Sequence, residues 1–189
     1  MPLTLALVHH PVVNKRGETV VSSITNFDIH DIARSCRTYG LDRYFLVTPT
    51  EPQQWLARRI VRHWLEGWGA EYNSNRGEAL QLIEVLATLD DVRRRCIELW
   101  GRPPRFAGTS ARAQGGVLAL EELRAMLEQP EEVTCLVFGT GWGLHPDLLR
   151  GLDFLLEPIL GAGDYNHLSV RAAVAIYLDR LRGHVSKTP

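Results

Sequence analysis

The sequence of 189 residues has few cysteines, almost no net charge and no long apolar run. Cys36, Cys96 and Cys135 are far apart and lie in apolar sequence without metal-ligand spacing, which predicts buried, reduced thiols. The seven histidines likewise lack the carboxylate or thiol spacing of zinc sites, and we assign no metal. A net charge of −1 excludes attraction of the whole molecule to a polyanion, so such contacts must come from local patches.

The chain also lacks repeats, charge blocks and low-complexity linkers. Its apolar start, Met1 to His10, is too short for a membrane span and has no basic lead-in or cleavage-site pattern. We therefore expect a first core strand of a cytoplasmic protein with no membrane association. An apolar content of 45% is enough for one sizeable core, and a single domain over residues 1–189, with a loose tail from about Gly183, is the default expectation.

Hydrophobic periodicity predicts strands that alternate with helices. The predicted strands are Leu3 to Val8, Arg43 to Val47, Arg105 to Thr109, Val133 to Phe138 and Phe154 to Leu155. The predicted helices are Asp28 to Tyr39, Glu51 to Trp68, Gly77 to Leu86, Leu89 to Trp100, Leu118 to Leu127 and Leu168 to Leu181. This alternation indicates an α/β fold, with a mostly parallel sheet flanked by helices on both faces.

Two glycine-containing segments, Leu136 to Leu144 and Leu160 to Val170, each follow an apolar run. Glycine lets backbone groups approach a ligand, so the pair predicts a small-molecule pocket, although a tight turn alone explains the first segment about equally well. Its G-x-G-x-G spacing, late in the chain, matches a dinucleotide-binding fold only weakly. No Lys-Ser/Thr follows the glycines, which excludes a P-loop. Between them, Trp142 either packs as an anchor, which we favour, or forms a wall of the site.

Polar side chains gather at two predicted helix starts. In the first helix, His30, Asp31 and Arg34 lie within one or two turns, a neighbourhood suited to general-base chemistry. The simpler alternatives are that Arg34 lies on a solvated face of the helix and that His30 caps the helix or lies at the edge of the core. At the start of the last helix, the simpler interpretation is that Asn166 or Ser169 serves as the helix cap.

In sequence order, the segments Asn26 to Gly40, Leu136 to Leu144 and Leu160 to Val170 resemble the three motifs of the SPOUT (SpoU-TrmD) RNA methyltransferases, particularly a stand-alone group of predicted enzymes. Arg34, six positions before Gly40, matches the Arg-x5-Gly of the first SpoU-type motif, and Asp28 stands where the family has Asn. Ser169 matches the Ser of the family's Asn-x-Ser, with Asn166 displaced by one position. The stretch from Gly108 to Arg112, Gly-Thr-Ser-Ala-Arg, is similar to one in some bacterial members.

The resemblance implies an α/β domain over residues 1–189 with a deep C-terminal trefoil knot and a helical insertion at about 51–101. It implies S-adenosylmethionine (SAM) as cofactor. The cofactor-binding residues it implies are Thr109, Phe138, Gly139, Thr140, Gly141, Trp142, Gly143, Leu144, Leu160, Gly161, Tyr165, Asn166, His167 and Leu168. The catalytic residues it implies are Arg34, Ser169, His30 and Asp28.

The activity implied by the resemblance is methyl transfer to a ribose hydroxyl or a base nitrogen of tRNA or rRNA, by a homodimer whose partner completes the acceptor site. Ribose attack suits Arg34 with Ser169, and attack by a base nitrogen suits Asp28 or Asp164 as proton acceptor. RNA phosphates would have to bind at Arg58, Arg59 and Arg62 or at Arg93 to Arg95, which otherwise read as solvated helix faces. Two alternatives are a non-catalytic SAM- and RNA-binding module and a Rossmann-like or flavodoxin-like nucleotide-binding protein.

Overall fold

The computed structural model describes residues 1–66, 74–112, 116–129 and 132–183. The strands in this part of the chain are β1 Leu3–Val8, β2 Val12–Val13, β3 Thr19–Val20, β4 Arg43–Val47, β5 Ile83–Leu86, β6 Arg105–Gly108, β7 Thr134–Gly139 and β8 Phe154–Leu155. The helices are α1 Asn26–Thr38, α2 Glu51–Glu66, α3 Ser74–Leu80, α4 Leu89–Trp100, α5 Leu120–Met126, α6 Pro146–Arg150 and α7 Val170–Arg182.

Six strands form one sheet in the order β5-β4-β1-β7-β6-β8, and every neighbouring pair is parallel. All six residues of β1 are buried, as expected for a central strand covered on both faces. The Rossmann order 3-2-1-4-5-6 would put the fourth main-sheet strand beside the first. Here the fifth, β7, lies between β1 and β6, so the sheet departs from that order.

Helices cover both faces of the sheet. One core packs Leu3, Leu5 and Leu7 of β1 against α1, α2, α3, α5 and α7. The other packs Ala6 and Val8 against α4, with side chains of α6 at its edge. The three cysteines are buried and free, as the sequence predicts, and burial raises the pKa of each thiol. The predicted α/β architecture is confirmed.

The predicted strands β1, β4 and β8 are confirmed with their bounds. The predicted helix from Gly77 to Leu86 is wrong beyond Leu80, because the chain turns there and β5 joins the sheet beside β4. Apolar residues that fit a helical face also fit a half-buried edge strand, and pairing with β4 decides between them. The segment expected as a helical insertion at about 51–101 therefore contains a sheet strand. Trp68 and the tail beyond Gly183 lie outside the described residues.

Helix α1 begins two residues before the predicted start, because Thr25 is its N-cap. The Thr25 hydroxyl accepts a hydrogen bond from the Asp28 backbone N–H at 3.1 Å, which satisfies one of the free donors at the helix start. The hairpin of β2 and β3 and the short helix α6 were not predicted. Among the described residues, no helix combines the length and the apolar content that a membrane span needs.

Candidate functional site

A cavity of about 1050 Å³ lies at the carboxyl ends of β6 and β7. Side chains of α6 and α7 line it together with four loop segments: the residues after β6, the glycine turn after β7, the segment between β8 and α7, and the residues leading from the hairpin into α1. Ligands of parallel α/β sheets bind outside the carboxyl ends of the strands. The two glycine segments singled out in the sequence thus meet at one hollow.

The glycine turn begins at Gly139, the last residue of β7, and only glycine fits at this position. A Cβ at Gly139 would lie 2.7 Å from the backbone N of Leu144, so any side chain there would push the turn apart. Gly141 and Gly143 have φ values of 61° and 109°, a region that other residues rarely adopt. The glycines are therefore structural requirements of the turn, and the turn is also a wall of the cavity.

The hairpin of β2 and β3 holds the turn in place. The backbone N–H of Val13 donates to the Gly143 carbonyl at 3.0 Å, and the Trp142 N–H donates to the Val13 carbonyl at 3.0 Å. Trp142 is half exposed and lines the cavity, so the expectation that it packs as an anchor is wrong, and it forms a wall. Sequence reasoning missed this hairpin because its strands have only two residues each.

A buried polar chain links the hairpin to the turn. The Thr140 hydroxyl lies within hydrogen-bond distance of the Ser22 hydroxyl and donates to the Val8 carbonyl at 3.2 Å. Ser22 in turn lies 3.0 Å from Nδ1 of His9. Burial lowers the pKa of His9 to about 4, against the opposing effects of the Asp28 charge and a hydrogen bond with Ser22. His9 is therefore neutral at neutral pH, and its ring orders Ser22 at the cavity wall.

The second glycine segment lines the cavity with its later part only. Asn166, His167, Leu168 and Ser169 contribute to the wall, whereas Leu160, Gly161 and Tyr165 do not line it. The Asn166 side-chain amide donates to the Ala111 carbonyl at 3.0 Å and ties this segment to the loop after β6.

The predicted capping role of Ser169 is confirmed, since its hydroxyl accepts a hydrogen bond from the Ala172 N–H at 3.3 Å and caps α7. Thr109 also lines the cavity, and its hydroxyl donates to the Val137 carbonyl at 3.1 Å.

Asp28 and Arg171 form an ion pair at the cavity wall. Arg171 Nη1 donates to Asp28 Oδ1 at 2.9 Å, and the Thr25 hydroxyl donates to Oδ2 at 2.6 Å. The Asp28 side chain is only 7% exposed, so this carboxylate is oriented by fixed partners. Sequence reasoning missed Arg171, although a signal was present: it is the only charged residue of α7 before Asp179. A lone charge in an apolar helix marks a partner elsewhere.

The structure separates the four predicted catalytic residues. Asp28 and Ser169 line the large cavity, whereas His30 and Arg34 line a second cavity of about 560 Å³ between α1, α2 and α3. Residues 28 and 34 lie six positions apart on α1, which places them about 120° apart around the helix and on different faces. Burial lowers the pKa of His30, assisted by the charge of Arg76 and opposed by Asp31.

The lining of the large cavity suits an apolar, flat molecule with charged ends. Phe138, Leu155 and Ile159 give it an apolar floor, and backbone groups of the glycine turn supply polar edges. Arg112 offers a guanidinium for an anion, and the Asp28 carboxylate, which is paired with Arg171, adds negative charge to the wall. Within the described ranges, no group of three or more His, Cys, Asp or Glu side chains is placed to hold a metal ion.

The parallel sheet, the glycine turn and the cavity at its carboxyl edge define an α/β protein with a built site for a small organic ligand. Residues 2–183 match the family model described as SAM-dependent RNA methyltransferase. The chain belongs to this family.

Individual proteins are similar to the chain over most of its length. An uncharacterized protein of Aquifex aeolicus is 42% identical over 94% of this chain and 86% of its own length. A tRNA (guanine-N(1)-)-methyltransferase of Nitratidesulfovibrio vulgaris is 46% identical over 96% of this chain, which spans only 42% of that protein. The crystal structure of TrmJ from Z. mobilis shares the fold, with a TM-score of 0.61 at 18% identity, covering 100% of this chain and 71% of that one.

Proposed function

We propose that this chain binds SAM in the large cavity and transfers its methyl group to tRNA or rRNA. One observation carries the proposal: the two glycine segments form walls of a single cavity beside a buried carboxylate. Membership of a SAM-dependent RNA methyltransferase family supports the cofactor and the class of acceptor.

The residues present fit SAM. The turn from Phe138 to Leu144 needs glycine for its own conformation, and glycine lets the backbone of this turn approach an adenine ring closely. The later part of the second segment, Asn166 to Leu168, would close over the nucleoside. Asp28 is suited to the positive sulfonium or amino group, and Arg112 to the carboxylate of the methionine part.

The chain's own contribution to the reaction is placement and proton handling. SAM, when bound, supplies a methyl group on a sulfonium, and transfer of that group requires the attacking atom to be held in line. Asp28 and Asp164 line the cavity whereas Arg34 does not, which favours a base nitrogen as the acceptor, with a carboxylate taking its proton. A ribose acceptor would instead require Arg34 from the second copy of a homodimer, acting with Ser169.

The remaining parts of the proposal follow from the resemblance to SPOUT enzymes. They are a trefoil knot in the C-terminal part of the chain, a homodimeric assembly and a cytoplasmic location. A Rossmann-like nucleotide-binding protein is disfavoured by the position of β7 beside β1.

A methyl-transfer assay tests the proposal. The protein is incubated with SAM labelled in its methyl group and with total RNA, and the label in RNA is counted. We expect transfer by the wild type, no cofactor binding by Gly141→Val, and normal cofactor binding with reduced transfer by Arg34→Ala. Saturable SAM binding without labelled RNA would instead identify a binding module. An unchanged rate for Arg34→Ala would remove that residue from the reaction.

A further inference from the structure

The cavity between α1, α2 and α3 is a second built site with its own chemistry. Three guanidinium groups and two imidazoles line it: Arg34, Arg59, Arg76, His30 and His63. Asp31 is its one lining carboxylate among the described residues, and the Arg171 guanidinium lies 3.5 Å from that carboxylate. The lining is therefore strongly biased towards cations, although the whole chain is nearly neutral.

Two guanidinium groups of this cavity, those of Arg34 and Arg59, differ from the paired arginines of the other helices. Neither Arg34 nor Arg59 has a carboxylate partner within the part of the chain that the structure describes. By contrast, Arg62, one turn further along α2, lies 3.8 Å from Glu66 on the solvent side. His30 Nδ1 is buried in the second cavity without a hydrogen-bond partner among the same residues. The guanidinium groups of Arg34 and Arg59 are therefore available to an anion.

The same cavity has flat apolar walls. Phe27 is 68% exposed, and Leu56 is 43% exposed. Trp64 forms part of the wall, and the Arg76 guanidinium lies over its ring at 4.5 Å. The largely exposed Phe27 ring and the nearby cations match the two parts of a nucleotide. The phosphate needs positive charge, and the base needs a ring to stack on.

The second cavity lies beside the first. Arg171 donates to Asp28, which lines the large cavity, and its guanidinium also lies near Asp31, which lines the second one. The same guanidinium lies over one face of the Phe27 ring, 5.5 Å from its centre, and the side chain remains 68% exposed. One side chain thus spans the boundary between the two sites, so a polymer bound in the second cavity would run directly to the first.

We propose that the cavity between α1, α2 and α3 binds a nucleotide of the RNA substrate next to the one that is methylated. Its phosphate meets Arg34, Arg59 and His63, and its base stacks on Phe27. This inference rests on the proposed function, because it takes RNA as the acceptor. The proposal adds a nucleotide subsite that is separate from the cofactor cavity and to which α2 and α3 contribute.

Fluorescence anisotropy with a labelled single-stranded RNA tests the subsite, and calorimetry with S-adenosylhomocysteine reports on the cofactor cavity independently. We expect Phe27→Ala to weaken RNA binding by roughly fivefold or more, as for loss of one stacked base. Arg59→Gln combined with His63→Gln should weaken it similarly and reduce the slope of log affinity against log salt by about 0.7, as for one phosphate contact. Both variants should bind S-adenosylhomocysteine like the wild type.

Two exposed residues that do not line the cavity serve as controls. Ile97→Ala removes an exposed apolar side chain of α4, and Arg124→Gln removes an exposed cation of α5. Neither should change RNA affinity. Unchanged RNA affinity in the Phe27 and Arg59 variants, with wild-type binding intact, overturns the subsite alone. A wild type that binds neither RNA nor S-adenosylhomocysteine overturns the proposed function as well. Variants that dissociate a dimer in sedimentation while keeping RNA affinity would reassign the cavity to contact between copies.

Discussion

We expect the protein to lose stability in acid, and we expect His9→Gln to make that loss much smaller. His9 has no exposed surface, and its Nε2 atom has no hydrogen-bond partner among the described residues. Its other ring nitrogen is occupied by Ser22 at 3.0 Å. The folded chain therefore holds a neutral imidazole with a pKa of about 4, against an ordinary value of 6.5.

The direction of the effect follows from proton binding. The pKa is lower in the folded state, so between about pH 6.5 and pH 4 the unfolded chain takes up a proton that the folded chain does not. The free energy of unfolding thus falls as the pH drops through this window and changes no further below the folded pKa. Each unit of pKa difference is worth about 1.4 kcal/mol, so His9 alone accounts for a loss of about 3 kcal/mol.

Urea unfolding at a series of pH values measures this loss. His9→Gln should be less stable than the wild type near neutral pH by about 1 kcal/mol, because Ser22 loses an ordered partner. Its stability should then decline less steeply in acid, and the two curves should converge or cross. Parallel curves for variant and wild type, or an NMR titration that places the His9 pKa near 6.5, would refute the reasoning.

Two further substitutions test the cavity walls. Gly139→Ala should abolish S-adenosylhomocysteine binding in calorimetry, because its Cβ would lie 2.7 Å from the Leu144 backbone N, whereas Gly163→Ala, with no atom within 4 Å, should bind normally. Asp28→Asn should lower the free energy of unfolding by about 1–2 kcal/mol, less than for a fully buried pair because Arg171 is 35% exposed, and should reduce methyl transfer more strongly than cofactor affinity.

Each of these substitutions has an outcome that contradicts it. Equal calorimetric affinity of the two alanine variants would show that the turn at Gly139 is not part of the binding site. For Asp28→Asn, the matched control is Asp31→Asn, which removes the weaker and more exposed partner of Arg171. If both aspartate variants lose the same stability and the same transfer rate, the buried carboxylate has no special role.

The fold was largely predictable because its strands have strong local signals. Leu3–Val8 and Arg43–Val47 are predominantly apolar, and such runs are typical of central parallel strands. The segment from Gly77 to Leu86 was assigned wrongly because its apolar residues fit both periods, and only pairing with β4 selects a strand after Leu80. The order of the strands in the sheet could not be predicted, because no local sequence pattern indicates that β7 lies between β1 and β6.

The candidate site was predictable in part, for a related reason. The glycines of the turn after β7 are conformational requirements visible in the sequence, and they do line the cavity. Partners that arrive from distant elements were not visible: Ser22 from the hairpin and Arg171 from α7 reach the site only through folding. Arg34 and His30 were grouped with Asp28 by proximity in sequence, but the turn of α1 sends them to another cavity.

The central claim is that the hollow between the two glycine segments holds the methyl donor. A crystal structure of the protein grown with S-adenosylhomocysteine tests it most directly. The account predicts the nucleoside against Phe138 to Leu144 on one side and Asn166 to Leu168 on the other, with the methionine part near Asp28. Ligand density elsewhere on the protein, or crystals that contain none at saturating ligand, would contradict it.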